Sequence, residues 1–371
     1  MEVLIKMPSD FPAQEILEIA ESLEAADVLV ADYPDPNSEV YLFEHYLYDS
    51  LVEGVQTVLL PDRNIVSRVA QVARGEPLDG QRKKAAAVLA FAQCLDIQVE
   101  PSIAFHELAF SQGNSTALDE LAWFRAADNS AHQRWIAAGL GRTGNIVPLA
   151  PPSPTEYFDL AKPLARWRRN YIVALKMGEL ELNANLSPFE KVSTLLEWMR
   201  DDFILAGPAA VLAFLYFAPN SPPRRGLLKS LRSDDRQAAL AGAKNAAWDI
   251  TYLSDFAQRI NEAGESTSTR YILATLDQRL RDLARFVIGE HHEIDAHDSL
   301  ALSFERWWAP RDARKIADLW SSCRTRTRSA AWWEQYKDRP NYVGELIAHG
   351  EHVLLNWHRG ETSTGSVPPP I

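Results

Sequence analysis

The stretch Arg270–Arg285, RYILATLDQRLRDLAR, decides how this chain is read. Its first half is a short apolar run of the kind that forms a buried strand. From Gln278 onward, apolar and basic residues recur at helical spacing. Asp277 stands at the junction. A side-chain oxygen there can cap the helix by accepting a free backbone N–H. A carboxylate at the carboxyl end of a parallel strand also sits where open α/β sheets bind ligands. The same grammar occurs far upstream in VQTVLLPDRNIVSRVAQVARG (55–75): a strand over 57–60, a Pro61-Asp62 junction, and a helix ending near Gly75. Two strand–aspartate–helix units separated by helices predict an α/β fold with a parallel sheet.

Composition bounds the reading. A chain of 371 residues has room for two domains, or for one α/β domain with large insertions. With 46% hydrophobic and 24% charged residues it is an ordinary globular composition, not a disordered one. A net charge of −12 argues against non-specific coating of nucleic acid, though it leaves room for a local basic groove. Cys94 and Cys323 are the only cysteines, so neither a disulfide framework nor a cysteine zinc site is expected. The N-terminus lacks the basic and apolar regions of a signal peptide. The apolar run Ala206–Pro219 is too short for a bilayer. A soluble, cytoplasmic protein with no membrane partner is expected.

The pattern along the chain suggests six segments. Residues 1–50 read as an N-terminal helical and extended segment, 51–111 as the first part of an α/β core, and 112–240 as a mainly helical insertion. Residues 241–290 read as the second part of the core, 291–360 as a tryptophan-rich helical region, and 361–371 as a disordered tail.

Four carboxylates stand out: Asp62 in LLPDRN, Glu107 in FHEL, Asp249 in AWDITYL and Asp277 in ATLDQRL. Glu107 and Asp249 lie beside apolar residues of helices, where a charge is costly unless it is paired, protonated or bound to a cation. Glu100, Asp119 and Glu120 are close enough in sequence to compete for the role of Glu107. Asn64 and Thr275 are placed to support the aspartates. An oxygen-rich set of this kind suits Mg²⁺ or Mn²⁺.

In their order, strand-Asp-x-Asn, helix-Glu, helix-Asp and strand-Thr-x-Asp-x-x-Leu, these motifs resemble the PIN-like nuclease domain. The resemblance is carried by roughly 57–110 and 244–288, with Arg63 standing where family members often have Thr or Ser. It implies a three-layer α/β/α sandwich around a central parallel sheet, with a large helical insertion and a C-terminal helical region in this chain. It also implies a metal-dependent endonuclease, acting on RNA ahead of DNA. Asp62, Glu107, Asp249 and Asp277 would be its catalytic and metal-binding residues. A toxin or phage-defence effector, with an antitoxin or defence-system partner protein, would suit such a nuclease. Two rival readings remain. One is a non-catalytic helical interaction protein whose acidic residues are caps and ion pairs. The other is a metal-independent RNase of the HEPN type using Arg285 and His291. The segment EHHEIDAHD (290–298) is read as a polar loop.

Basic residues cluster in KPLARWRRN (162–170), PPRRGLLKSLR (222–232) and RWWAPRDARK (306–315), interleaved with tryptophans in the first and last, which nominates Arg168, Arg224, Arg306, Arg311 and Arg314 for nucleic-acid binding. Replacing Arg306, Arg311 and Arg314 by Ala should weaken single-stranded RNA binding. The slope of log affinity against log salt should fall by about 0.7 per lost phosphate contact. An unchanged slope in a salt series would assign these arginines to a solvated helix face.

Overall fold

The computed structural model describes residues 6–31, 40–150, 157–221, 226–263, 268–289, 296–325 and 341–358. The chain divides into two compact units. One comprises Met1–Pro163 with Asp255–Ile288, the other Leu164–Ser254 with Gly289–Ile371.

The first unit holds the sheet. Its strands are β1 (Leu29–Ala31), β2 (Gln56–Pro61), β3 (Gln98–Val99) and β4 (Thr269–Ala274), in the spatial order β1-β4-β2-β3. The pairings β2–β4 and β2–β3 are parallel, as the strand–aspartate–helix grammar requires. The sheet is nevertheless mixed, because β1 pairs with β4 antiparallel, Leu29 opposite Ala274 and Ala31 opposite Ile272. This corrects the expectation of a wholly parallel sheet. A three-residue strand directly after a helix carries no alternation to betray it, and its direction follows from where the preceding helix leaves the chain.

Helices α1 (Ala13–Ala26), α3 (Arg63–Ala73), α4 (Gly80–Cys94), α5 (Ser102–Gln112), α6 (Asn114–Asp128) and α7 (His132–Gly139) belong with the sheet, and the short α2 (Phe43–Tyr48) precedes β2. One hydrophobic core joins Ile16 and Leu23 of α1, Leu59 of β2, Val66 of α3, Phe91 of α4, Phe105 of α5, Trp135 of α7 and Ile272 of β4. Val58, Leu60 and Leu273, which alternate with those strand residues, are also buried, so the sheet is covered on both faces. On this second face the Arg259 guanidinium lies 5.7 Å from the Tyr271 ring centroid. Helix α1 of the N-terminal stretch thus contributes to this core. Helices α6 and α7, from the stretch expected as an insertion, also join it, α6 packing on α3 and α5.

The second unit is helical, built from α8 (Ala165–Leu182), α9 (Pro188–Asp201), α10 (Gly207–Phe217), α13 (Ala296–Phe304), α14 (Pro310–Thr325) and α15 (Tyr342–Leu355). The long α11 (Arg236–Ala263) runs from this unit into the first, and α12 (Gln278–Gly289) follows β4. Described parts of the tryptophan-rich region thus share this unit with much of the expected insertion. Its rings explain why: Trp308 Nε1 donates to the Phe214 carbonyl at 3.0 Å, and Phe214 meets Trp320 edge-on at 5.7 Å. Among the described residues, no helix is long and apolar enough to cross a membrane.

The α4–α7 contact depends on a missing side chain. A Cβ on Gly139 would lie 2.8 Å from the Cα of Ala87 and 3.0 Å from its nitrogen. Backbone cannot move aside as a flexible side chain can. Alanine would ordinarily gain roughly 0.5–1 kcal/mol over glycine in a helix, but overpacking costs about 1–3 kcal/mol. Gly139→Ala should therefore lower the unfolding free energy, whereas Gly144→Ala, with nothing within 4 Å of the new Cβ, should leave it nearly unchanged. Denaturant titration of both variants is the check.

Candidate functional site

Asp62 follows directly from the last residue of β2, and its N–H continues the ladder by donating to the Ala274 carbonyl at 2.8 Å. This tie sets it beside the end of β4. Its carboxylate, on a residue only 3% exposed, collects three donors. The Ile65 N–H reaches Oδ1 at 2.8 Å, which makes Asp62 the N-cap of α3. The Thr275 hydroxyl donates to Oδ2 at 2.5 Å, and the Asn64 amide approaches the same oxygen at 3.4 Å. Arg68 steadies that amide, donating to Asn64 Oδ1 at 3.3 Å.

Thr275 links the two aspartates. A hydroxyl has a single proton, which goes to Asp62, while its oxygen accepts the Asp277 N–H at 3.0 Å. Asp277 caps α12, its Oδ1 accepting from the backbone of Arg279 at 2.9 Å and Leu280 at 3.4 Å. Capping, the plainer reading of both residues, is therefore real, but it leaves lone pairs on each carboxylate for other work.

The surroundings push the two acids apart. Burial raises the pKa of Asp62 above the ordinary carboxylate value, and the neighbouring Asp277 charge raises it further, against the hydrogen bonds from Thr275, Ile65 and Asn64. At Asp277 burial also acts upward, yet the hydrogen bond and charge of Arg279 and the two backbone donors outweigh it, so its pKa is lowered. Paired titratable groups driven in opposite directions are a feature of working sites.

The other nominated carboxylates come from other elements of the chain. Glu107 is half-buried on α5. Asp249 is half-buried on the part of α11 that belongs to the second unit. Glu100 follows β3 and accepts the Ser102 N–H at 3.1 Å, Asp119 pairs with Arg74 at 2.6 Å, and buried Glu120 takes the Arg63 fork at 2.5 and 3.1 Å. The unusual Arg63 of the first motif thus has a partner on α6. Among the described residues, no three His, Cys, Asp or Glu side chains gather closely enough to hold a metal ion by themselves. Magnesium, however, keeps several waters and is commonly held through one or two carboxylates plus substrate phosphates. Asp62 and Asp277 fit that requirement.

Two arginines brace this end of the sheet in a role the sequence reading did not foresee. Arg281, 7% exposed, donates to the Thr275 carbonyl at 3.3 Å, and its Nε lies 3.5 Å from Asp27 Oδ2, ion-pair range and not a hydrogen bond. Arg285 forks onto Asp27, Nη1 to Oδ2 at 2.9 Å and Nη2 to Oδ1, which holds the Asp27 pKa down. The signal was present: Arg281 and Arg285 share a helix face at i, i+4 spacing, and cations favour a helix C-terminus such as the end of α1. The Arg285 of the HEPN-type reading is thereby occupied in a bidentate pair.

Arg306, Arg311 and Arg314 are exposed and Arg168 is half-buried, all in the second unit. The Arg306 guanidinium lies 5.3 Å from the Trp307 ring centroid. Arg224, His291, His292, Trp332, Trp333 and the tail 361–371 lie outside the described residues. No family model, curated protein or solved structure matches the chain.

The raised pKa of Asp62 has a sign that can be measured. The native state holds this proton more firmly than the unfolded chain. The contribution of Asp62 is therefore most favourable below the unfolded carboxylate pKa, and it is lost as pH rises through the folded value. Asparagine can keep the cap without the buried charge. Asp62→Asn should be as stable as the parent or more stable at neutral pH, with the difference shrinking below about pH 4. Denaturant unfolding across pH tests this. A variant destabilised by several kcal/mol at neutral pH would make the carboxylate a structural element.

Proposed function

We propose that this protein is a divalent-metal-dependent endonuclease that hydrolyses phosphodiester bonds, in RNA ahead of DNA, on a PIN-like three-layer α/β/α core. The observation that carries the reading is the Thr275 bridge between Asp62 and Asp277 at the ends of adjacent parallel strands. Burial of the sheet on both faces, with Arg259 over Tyr271 on one of them, supports the layering.

Asp62 and Asp277 would hold Mg²⁺ or Mn²⁺. A bound ion supplies Lewis-acid polarisation of the phosphate and a water acidic enough to attack it at neutral pH. The chain's own residues do the positioning. Thr275, Asn64 and the Ile65 N–H fix the Asp62 carboxylate, and the start of α12 fixes Asp277. Pre-placed charge needs no reorganisation when charge develops on the phosphate. Glu107 and Asp249 are proposed to contribute to the same chemistry, and the exposed arginines of the second unit to RNA affinity.

The double capping favours one other reading, a non-catalytic interaction protein. One assay separates the two. The full chain, incubated with labelled single-stranded RNA, should cleave it in Mg²⁺ or Mn²⁺ and not in EDTA. Asp277→Asn should slow cleavage by on the order of 10²-fold or more, the scale of losing one pre-placed electrostatic group. Glu107→Gln and Asp249→Asn should slow it as well. Absence of cleavage with either ion would sink the nuclease reading, and cleavage that persists in EDTA would transfer it to metal-free chemistry.

A further inference from the structure

We propose that Arg279 is the substrate-phosphate contact of this site, resting on Asp277 until a divalent cation takes its place there. The inference builds on the nuclease reading and names a residue to which neither the motifs nor the basic segments pointed.

Around this end of the first unit, arginine–carboxylate pairs differ in how tightly they are made. Arg63–Glu120 is forked, at 2.5 and 3.1 Å, with side chains 20% and 11% exposed. Arg285–Asp27 is likewise bidentate. Arg279–Asp277 is looser than either. Its contacts are 3.3 Å from Nη2 and 3.5 Å from Nε, at the outer limit of hydrogen bonding, and its side chains are 40% and 33% exposed. An exposed, loosely made pair contributes little to stability and opens easily.

Asp277 does not depend on that guanidinium for its position. Its Oδ1 is held by the backbone N–H groups of Arg279 and Leu280, which remain when the side chain swings away. The carboxylate can thus exchange one cation for another without losing its place.

A phosphodiester approaching two aspartates meets negative charge and needs a cation at the rim. The neighbouring arginines are committed: Arg63 to Glu120, Arg281 to the Thr275 carbonyl, Arg68 to Asn64 and Gln81, and Arg259 to Asp255. Arg279 is a half-exposed guanidinium beside the acidic pair, and its planar fork matches a phosphate in bidentate fashion. A metal ion bound to Asp277 releases the guanidinium to the substrate, so metal and RNA binding reinforce each other although both are cation-dependent.

The experiment uses the full chain. Calorimetric titration with Mg²⁺ alone compares the parent, Arg279→Ala and Arg279→Lys. Anisotropy of a labelled single-stranded RNA in Mg²⁺, across a salt series and in an Asp62→Asn background, compares the same side chains. Arg279→Ala should bind Mg²⁺ several-fold more tightly, because a competitor is gone. Its RNA affinity should fall by roughly tenfold, and its salt slope by about 0.7. Arg279→Lys should keep the slope and lose part of the affinity. Unchanged RNA affinity and slope in Arg279→Ala would overturn the proposal. So would weaker Mg²⁺ binding, which would make Arg279 a positioning residue for Asp277. The two readings fail separately. A parent that binds RNA and Mg²⁺ with these arginine effects, yet never cleaves, defeats the nuclease reading alone. A parent that cleaves while Arg279→Ala binds like the parent defeats the arginine proposal alone.

Discussion

A carboxylate taken out of water must find donors, and the solution found by Asp62 organises the first unit. Its partners come from its own helix, through Ile65 and Asn64, and from a strand exit more than 200 residues away, through Thr275. An unsatisfied buried carboxylate would cost several kcal/mol. The parallel registration of β2 on β4, with Pro61 opposite Ala274, is what places the Thr275 hydroxyl at the required oxygen. A slip of one residue would turn that hydroxyl to the other face of the sheet. Sheet register and site geometry are therefore one constraint. Arg281, holding the Thr275 carbonyl and approaching Asp27, extends it to the end of α1.

What could be read in advance followed from local chemistry. Strand, cap and helix at 57–75 and 270–285 are nearest-neighbour features: apolar β-type residues, a side chain that accepts backbone N–H groups, then helical spacing. They placed Asp62, Asn64, Thr275 and Asp277 at the strand ends where the structure has them. What could not be read depends on partners distant in sequence. Helical periodicity shows that α6 has a buried face, not that the face lies on α3 and α5. It shows Asp249 beside a buried face of α11, not in which unit that stretch of helix packs. Strand β1 is too short to show alternation, and its direction depends on α1.

The tryptophans illustrate the same limit from the side of function. Aromatic rings among arginines can stack bases, and they can equally fill a core. Trp167 stacks on Tyr171 with centroids 5.0 Å apart and meets Trp248 at 5.5 Å, while Trp308 and Trp320 are buried around Phe214. These rings pack the second unit. The arginines near them are a different matter, because Arg306, Arg311 and Arg314 are exposed. A long cationic side chain beside a core aromatic can pack its stem and still offer its charge to solvent. Their neighbourhood therefore says nothing against a polyanion, and their value has to be read from salt dependence.

Capping and ligation are usually weighed as rivals for an aspartate at a strand–helix junction, but here they cooperate. A helix N-terminus carries partial positive charge, and its free N–H groups fix one carboxylate oxygen without consuming all its lone pairs. At Asp277 those donors join Arg279 in lowering the pKa against burial, which keeps the group ionised. Asp62, deeper and beside that charge, is driven the other way. Under the metal-dependent reading proposed above, a cation held by these residues would relieve the penalty on Asp62 and stand in for the loose guanidinium on Asp277.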